Sequence, residues 1–131
     1  MKTTMTPRKK HAPASEYDDK CPLLRVMELI GGKWKLPILW HLAEAAGEGT
    51  EGGGTVRYNE LRRQVRGVTN MMLTKCLREL EGAELVLRRD FAETPPRVEY
   101  ALTETGQSLM PILKKLYRWE ARRMREMKAR D

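Results

Sequence analysis

Apolar residues recur at helical spacing along most of the chain and switch to alternation after Leu85. Leu23, Val26, Met27 and Ile30 stand at i, i+3, i+4 and i+7, the stripe of an amphipathic helix. Cys21-Pro22 opens it, because proline suits a first helical position whose N–H has no partner; Cys21 is then the N-cap. Gly31-Gly32 ends it. A second helix is expected from about Lys33 to Ala45. Trp34, Ile38, Leu42 and Ala45 share its face, Leu39 and Trp40 widen it, and both tryptophans read as core. Pro37 falls near the first turn, where its cost is small. Asn59 to Val65 reads as a short helix and Arg66-Gly67-Val68 as a turn. Asn70 to Ala83 reads as the next helix, with Thr69 as its N-cap.

That last helix divides cleanly. Met72, Leu73, Cys76, Leu77 and Leu80 fall on one side, and Asn70, Met71, Thr74, Lys75 and Arg78 on the other. Two helices joined by a tight glycine-containing turn, the second with a polar outward face, predict a helix-turn-helix. Downstream the period becomes two. Val86 to Phe91 predicts one strand. Val98, Tyr100 and Leu102, alternating with Arg97, Glu99 and Ala101, predict a half-buried second. Ala92 to Pro96 joins them. A hairpin directly after the polar-faced helix is a wing, and Arg88, Arg89 and Arg97 give it cations. Thr103 caps a final helix reaching Met127, with Pro111 expected to bend it slightly. Leu109, Ile112, Leu113, Leu116, Tyr117, Trp119 and Met124 give this helix more apolar surface than one small domain covers. That surplus predicts dimerisation, rather than packing across its own domain.

The expected fold is mainly α with a small β-hairpin (α+β), a winged helix-turn-helix with extra N- and C-terminal dimerisation helices. Residues 1–18 read as a flexible basic arm, with Arg8, Lys9 and Lys10 either solvated or on phosphate. Residues 19–127 are the expected DNA-binding and dimerisation domain, and 128–131 a tail. Thr55-Val56-Arg57 fits a very short strand. Before it, Gly47 to Gly54 is a Gly/Glu-rich loop without the spacing of a nucleotide-binding motif.

Charge sharpens the picture. Lys plus Arg number 25 against 18 acids, a net charge of +7, which favours a polyanionic partner. No apolar run approaches the roughly 20 residues that cross a bilayer, and the basic, polar N-terminus lacks a secretory core. Two cysteines without a Cys/His cluster exclude a disulfide scaffold and a structural zinc. A cytoplasmic protein with no metal, cofactor or membrane partner is expected. His41 lies among apolar residues, far in sequence from any nucleophile, and reads as a satisfied or solvated histidine, so no enzyme is expected.

Several short stretches together resemble one family. These are Cys21-Pro22, Ile30-Gly31-Gly32-Lys33-Trp34, Tyr58-Asn59-Glu60-Leu61-Arg62, Met72-Leu73-Thr74, Leu77-Arg78-Glu79-Leu80-Glu81, Pro95-Pro96-Arg97-Val98-Glu99-Tyr100 and Leu102-Thr103-Glu104-Thr105-Gly106. In this order, over Cys21 to Trp119, the chain resembles the HxlR-type winged-helix transcriptional regulators. The loop Gly47 to Gly54 departs from that pattern, where a shorter turn is usual. The resemblance implies a bacterial-type homodimer formed by the first and last helices. It also implies major-groove binding by the second helix of the motif, wings on flanking DNA, and control of nearby genes. Leu23, Val26, Met27, Leu113, Leu116, Tyr117 and Trp119 would then form the interface.

The combined expectation is a homodimeric regulator of double-stranded DNA, a repressor on an inverted-repeat operator. Asn70, Thr74, Lys75 and Arg78, with Thr69 and Met71 beside them, are placed to read bases or adjacent phosphates. Arg62, Arg63, Arg66, Arg88, Arg89 and Arg97 would mainly hold phosphate. The alternative is a winged-helix protein–protein module without specific DNA binding, whose outward face should be apolar. The effector is unassigned. Two readings of Cys21 stand: a capping or packed cysteine, or a redox or electrophile sensor, since some relatives use a cysteine here near the dimer interface. Cys76, on the buried arc, packs as a small apolar residue.

Overall fold

The computed structural model describes residues 21–47 and 54–130. The basic arm and the Gly/Glu-rich stretch after Gly47 lie outside them. The chain divides into two compact units, Met1–Gly31 and Gly32–Asp131, a boundary inside the span 19–127 expected to be one domain.

The described part of the first unit is helix α1, Pro22–Ile30. Cys21 holds the N-cap position in an extended conformation, with Pro22 behind it, but its side chain makes no capping bond. The Gly31 N–H closes the helix on the Met27 carbonyl at 2.8 Å. Leu23, Val26 and Met27 are exposed.

In the second unit, α2 spans Lys35–Ala46 with Trp34 at its N-cap, two residues later than expected. It is followed by β1 (Val56–Arg57), α3 (Tyr58–Gln64), α4 (Asn70–Gly82), β2 (Val86–Asp90), β3 (Val98–Leu102) and α5 (Glu104–Arg130). The strands form one antiparallel sheet in the order β1-β3-β2, with Val56 opposite Tyr100 and Arg88 opposite the same tyrosine. The core is built from Ile38, Leu39 and Leu42 of α2, Leu61 of α3, Leu73, Leu77 and Leu80 of α4, and Val86 of β2. Burial of such side chains contributes about 1.5–3 kcal/mol each.

Four expectations are corrected. Trp34 and Trp40 are half-buried, not core; Trp40 stacks on Tyr117 of α5, ring centroids 5.1 Å apart. Met72 is 36% exposed at the rim of the α4 stripe. Strand β3 does not alternate: Glu99, Tyr100, Ala101 and Leu102 are all buried, because β3 is the central strand. Helix α5 continues through Pro111 and past Met127 to Arg130, so residues 128–130 are helical, not a tail.

Two junctions set the position of α4. Gly67 closes the helix-turn-helix turn at φ +90, a conformation that penalises a Cβ. At the other end, Leu85 N–H reaches back to the Leu80 carbonyl at 3.0 Å. Thr103 then joins this end to α5. Its hydroxyl donates to the Glu84 carbonyl at 2.7 Å and accepts from the Gly106 N–H at 2.9 Å, while its own N–H donates to Leu85 at 3.0 Å. Gly106 must be glycine here, since a Cβ would lie 2.3 Å from the Leu85 carbonyl oxygen.

Candidate nucleic-acid interface

Helix α4 is a two-sided element. Thr69 caps it, its hydroxyl accepting from the Met72 N–H at 3.1 Å. The inward side buries Leu73, Cys76, Leu77 and Leu80. A second clamp comes from α2: the buried Lys35 ammonium lies 3.0 Å from the Glu79 carboxylate. That bond, and the charge behind it, holds Glu79 below the usual carboxylate range. Burial pushes the Cys76 thiol up, which keeps it protonated and unreactive.

The outward side exposes Asn70, Met71, Thr74, Lys75 and Arg78. Among the described residues, neither Lys75 nor Arg78 forms an ion pair. Tyr58, the first residue of α3, joins this face. Its hydroxyl lies 3.2 Å from Asn70 Oδ1, 3.1 Å from the Asn70 carbonyl oxygen and 3.0 Å from Thr74 Oγ1. Sequence reasoning placed Tyr58 only within a motif. Its one signal in the sequence is a tyrosine starting the helix that packs before the polar-faced one.

The hairpin differs. Arg88 and Arg89 on β2 are exposed, although Arg88 stands 3.6 Å from Asp90 and also bonds the buried Tyr100. Burial raises the Tyr100 phenol above its ordinary value, and the Arg88 bond opposes that shift. Arg97, expected on phosphate, is held inside the wing. Its Nε donates to Glu99 at 2.9 Å, a second nitrogen lies 3.5 Å from Glu93, and the guanidinium stacks 4.0 Å over the Phe91 ring. Glu99 also accepts from Thr55, with Arg57 at 3.8 Å. The Thr55 bond and then the Arg97 bond hold the Glu99 carboxyl below its ordinary value. Arg97 is therefore corrected from a DNA cation to a brace of the wing. Between α3 and the sheet a groove of about 560 Å³ is lined by Arg57, Tyr58, Arg63, Arg88 and Tyr100. Arg57 is a cation that sequence reasoning did not select. Arg62 and Arg66 are exposed beside it, while Arg63 is ion-paired with Glu60.

The remaining expected residues scatter. His41 Nδ1 lies 3.0 Å from the Glu44 carboxylate one turn away, with no nucleophile bonded to it among the described residues. Cys21 is half-buried. On α5, Leu116, Tyr117 and Trp119 are exposed, but Leu113 is only 6% exposed within its own chain. Leu113 is thereby corrected: its apolar surface already belongs to its own core. Among the described residues no group of acids, histidines and cysteines is placed to hold a metal, and no helix is long and apolar enough to cross a membrane.

A capped helix with a buried stripe and a cationic, amide-bearing outer face, followed by a hairpin, is the reading head of a winged helix. The sequence profile of the HxlR-like helix-turn-helix family matches residues 29–128. The chain belongs to that family. Among similar proteins, the HTH-type transcriptional regulator YkvN of Bacillus subtilis is 44% identical over 92 residues, covering 70% of this chain and 70% of YkvN. The solved structure of the redox regulator HypR in its reduced form is 38% identical, with a TM-score of 0.67 over 79% of this chain and 94% of HypR. The reduced form of the transcriptional regulator YodB from B. subtilis is 30% identical, with a TM-score of 0.61 over 76% of this chain and 89% of YodB. This HxlR-like chain is a DNA-binding transcriptional regulator of winged-helix fold. The match to the family begins after Cys21 and α1's first turns.

Proposed function

We propose that this HxlR-like regulator is a homodimeric repressor of an inverted-repeat operator, with α4 in the major groove and the hairpin on flanking DNA. One observation carries the reading: α4 presents Asn70, Thr74, Lys75 and Arg78 outward, unpaired with acids among the described residues, over a fully buried apolar stripe. An arginine can bond guanine O6 and N7 together, and neighbouring cations hold phosphate. The exposed face also argues against a protein–protein module, which would need apolar anchors there. The exposed Leu116, Tyr117 and Trp119 on α5, and Leu23, Val26 and Met27 on α1, support a second copy as the cover. A two-fold dimer then places two reading helices about one DNA turn apart, ~34–36 Å, or a multiple of it.

The reading extends to control by oxidants or electrophiles through Cys21. A helix N-terminus stabilises a thiolate through its unpaired N–H groups and dipole. Cys21 occupies that position on α1. Of the two regulators similar in structure, HypR is named a redox regulator and YodB has been solved after diamide treatment. Modification beside a dimer interface would change the spacing of the two reading helices and break both half-site contacts together.

Selection of bound duplexes from a random pool should return an inverted repeat. Light scattering should give a dimer that Leu116→Glu with Trp119→Glu converts to monomers. Diamide should release wild type from that repeat and leave Cys21→Ser bound. No enriched duplex sinks the DNA reading; equal release of both proteins sinks only the cysteine.

A further inference from the structure

The knot of oxygens around Tyr58 constrains what α4 can read. Tyr58 is half-buried, so its ring is fixed, and it stands at the start of α3, 12 residues before Asn70 and 16 before Thr74. A phenol carries one proton and Thr74 another, so two protons serve the Tyr58, Asn70 and Thr74 oxygens. Asn70 turns Oδ1 toward this knot, at 3.2 Å from the Tyr58 oxygen. Its amide N–H₂ then points away from the knot. Asn70 is the first residue of α4, and the N-terminal residues of such a helix are those that contact base edges. An amide reads adenine by using both atoms at once, Oδ1 accepting from N6–H₂ and Nδ2 donating to N7. An amide whose oxygen is already occupied can only donate.

We propose that Tyr58 is a specificity-setting positioning residue: its hydroxyl occupies Asn70 Oδ1, so that Asn70 meets the groove as a donor and favours guanine over paired adenine recognition. This rests on the reading of α4 as the major-groove element. Guanine offers O6 and N7, two acceptors side by side, whereas adenine sets a donor beside its N7. Holding Asn70 and Thr74 before contact also lowers the ordering cost of binding, since neither side chain has to be fixed at that moment. Tyr58 needs no base contact of its own for this.

The test is duplex selection with wild type, Tyr58→Phe, Asn70→Ala and the double variant, with thermal melting of each. Tyr58→Phe keeps the ring and should keep the melting temperature and half-site spacing. It should release Oδ1 and raise adenine over guanine at one position per half-site by about tenfold, within what one bidentate amide–adenine pair supplies. On the Asn70→Ala background the same substitution should leave that position unmoved. A Tyr58→Phe motif identical to wild type, base for base, overturns the proposal alone. So does a shift that persists without Asn70, which would make Tyr58 a direct contact. A wild-type chain that enriches no motif overturns the reading of α4, and the proposal with it.

Discussion

Helix α4 and the β2–β3 hairpin both carry basic residues, and they use them differently. On α4, Lys75 and Arg78 have no ion-pair partner among the described residues, because Glu79 on the same helix is turned to Lys35 of α2. On the hairpin, Arg97 is tied to Glu99, Glu93 and the Phe91 ring, and Arg88 leans toward Asp90. Arg89 alone of the three hairpin arginines has no ion pair among the described residues. A cation engaged with a carboxylate has little to offer a phosphate until that bond is broken. The charge available to DNA is therefore smaller than the sequence count, and it is concentrated on α4. The hairpin converts part of its charge into rigidity.

The largest effect on binding should come from Arg78→Ala. If Arg78 contacts a base, operator affinity should fall by about 1–3 kcal/mol, with preference relaxed at one position. Melting should stay unchanged, since Arg78 supports nothing in the fold. Gel shifts beside a melting curve decide it, and wild-type affinity in the variant would break the contrast.

Arg97→Ala should do the reverse. Melting should fall by a few degrees while the dependence of binding on salt stays nearly the same. The pH dependence sharpens this. The Glu99 carboxyl is held below its ordinary value of 4.5, so the folded state favours its charged form. That contribution is complete above the unfolded value and is lost as pH falls through the lower, folded one. Removing Arg97 brings the folded value up, so acid unfolding of the variant should begin at higher pH. A variant that melts like wild type but binds with a flatter salt slope would return Arg97 to the phosphate.

Arg89→Ala should give the smallest change. Without one cation on phosphate, the slope of log affinity against log salt should flatten by about 0.9. Operator and random duplex should weaken alike. Weakening confined to the operator would make Arg89 a base reader and erase the difference between hairpin and helix.

The elements of α4 were legible because each signal is local. The Thr69 cap, the stripe of Leu73, Cys76, Leu77 and Leu80, and the Gly67 turn all lie within a few residues of what they specify. What the sequence hides depends on distant partners. Glu99 reads as the solvent side of an alternating strand until Thr55, 44 residues earlier, arrives to bond it. Arg97 reads as a free cation until Glu99 is known to be buried beside it. Tyr58 meets Asn70 and Thr74 only once the turn has folded α4 back across α3. Lys35 looks like an ordinary first-turn lysine; Glu79 makes it a buried one. On α5, periodicity marks the apolar arc but cannot say which side is already covered. Leu113 faces its own core, and Leu116 does not.

The junction at Thr103 has a mechanical consequence. One short side chain bonds the residue closing α4 and the first turn of α5 together, and the absent Cβ of Gly106 lets the backbones touch. Such an elbow has almost no slack, since no long side chain stands between the two helices to absorb a rotation. Helix α5, 27 residues long, is then a stiff arm fixed at that elbow. Torque applied along the arm is delivered to the C-terminal end of the reading helix, and a small swing at the far end becomes a tilt of the face that carries Arg78.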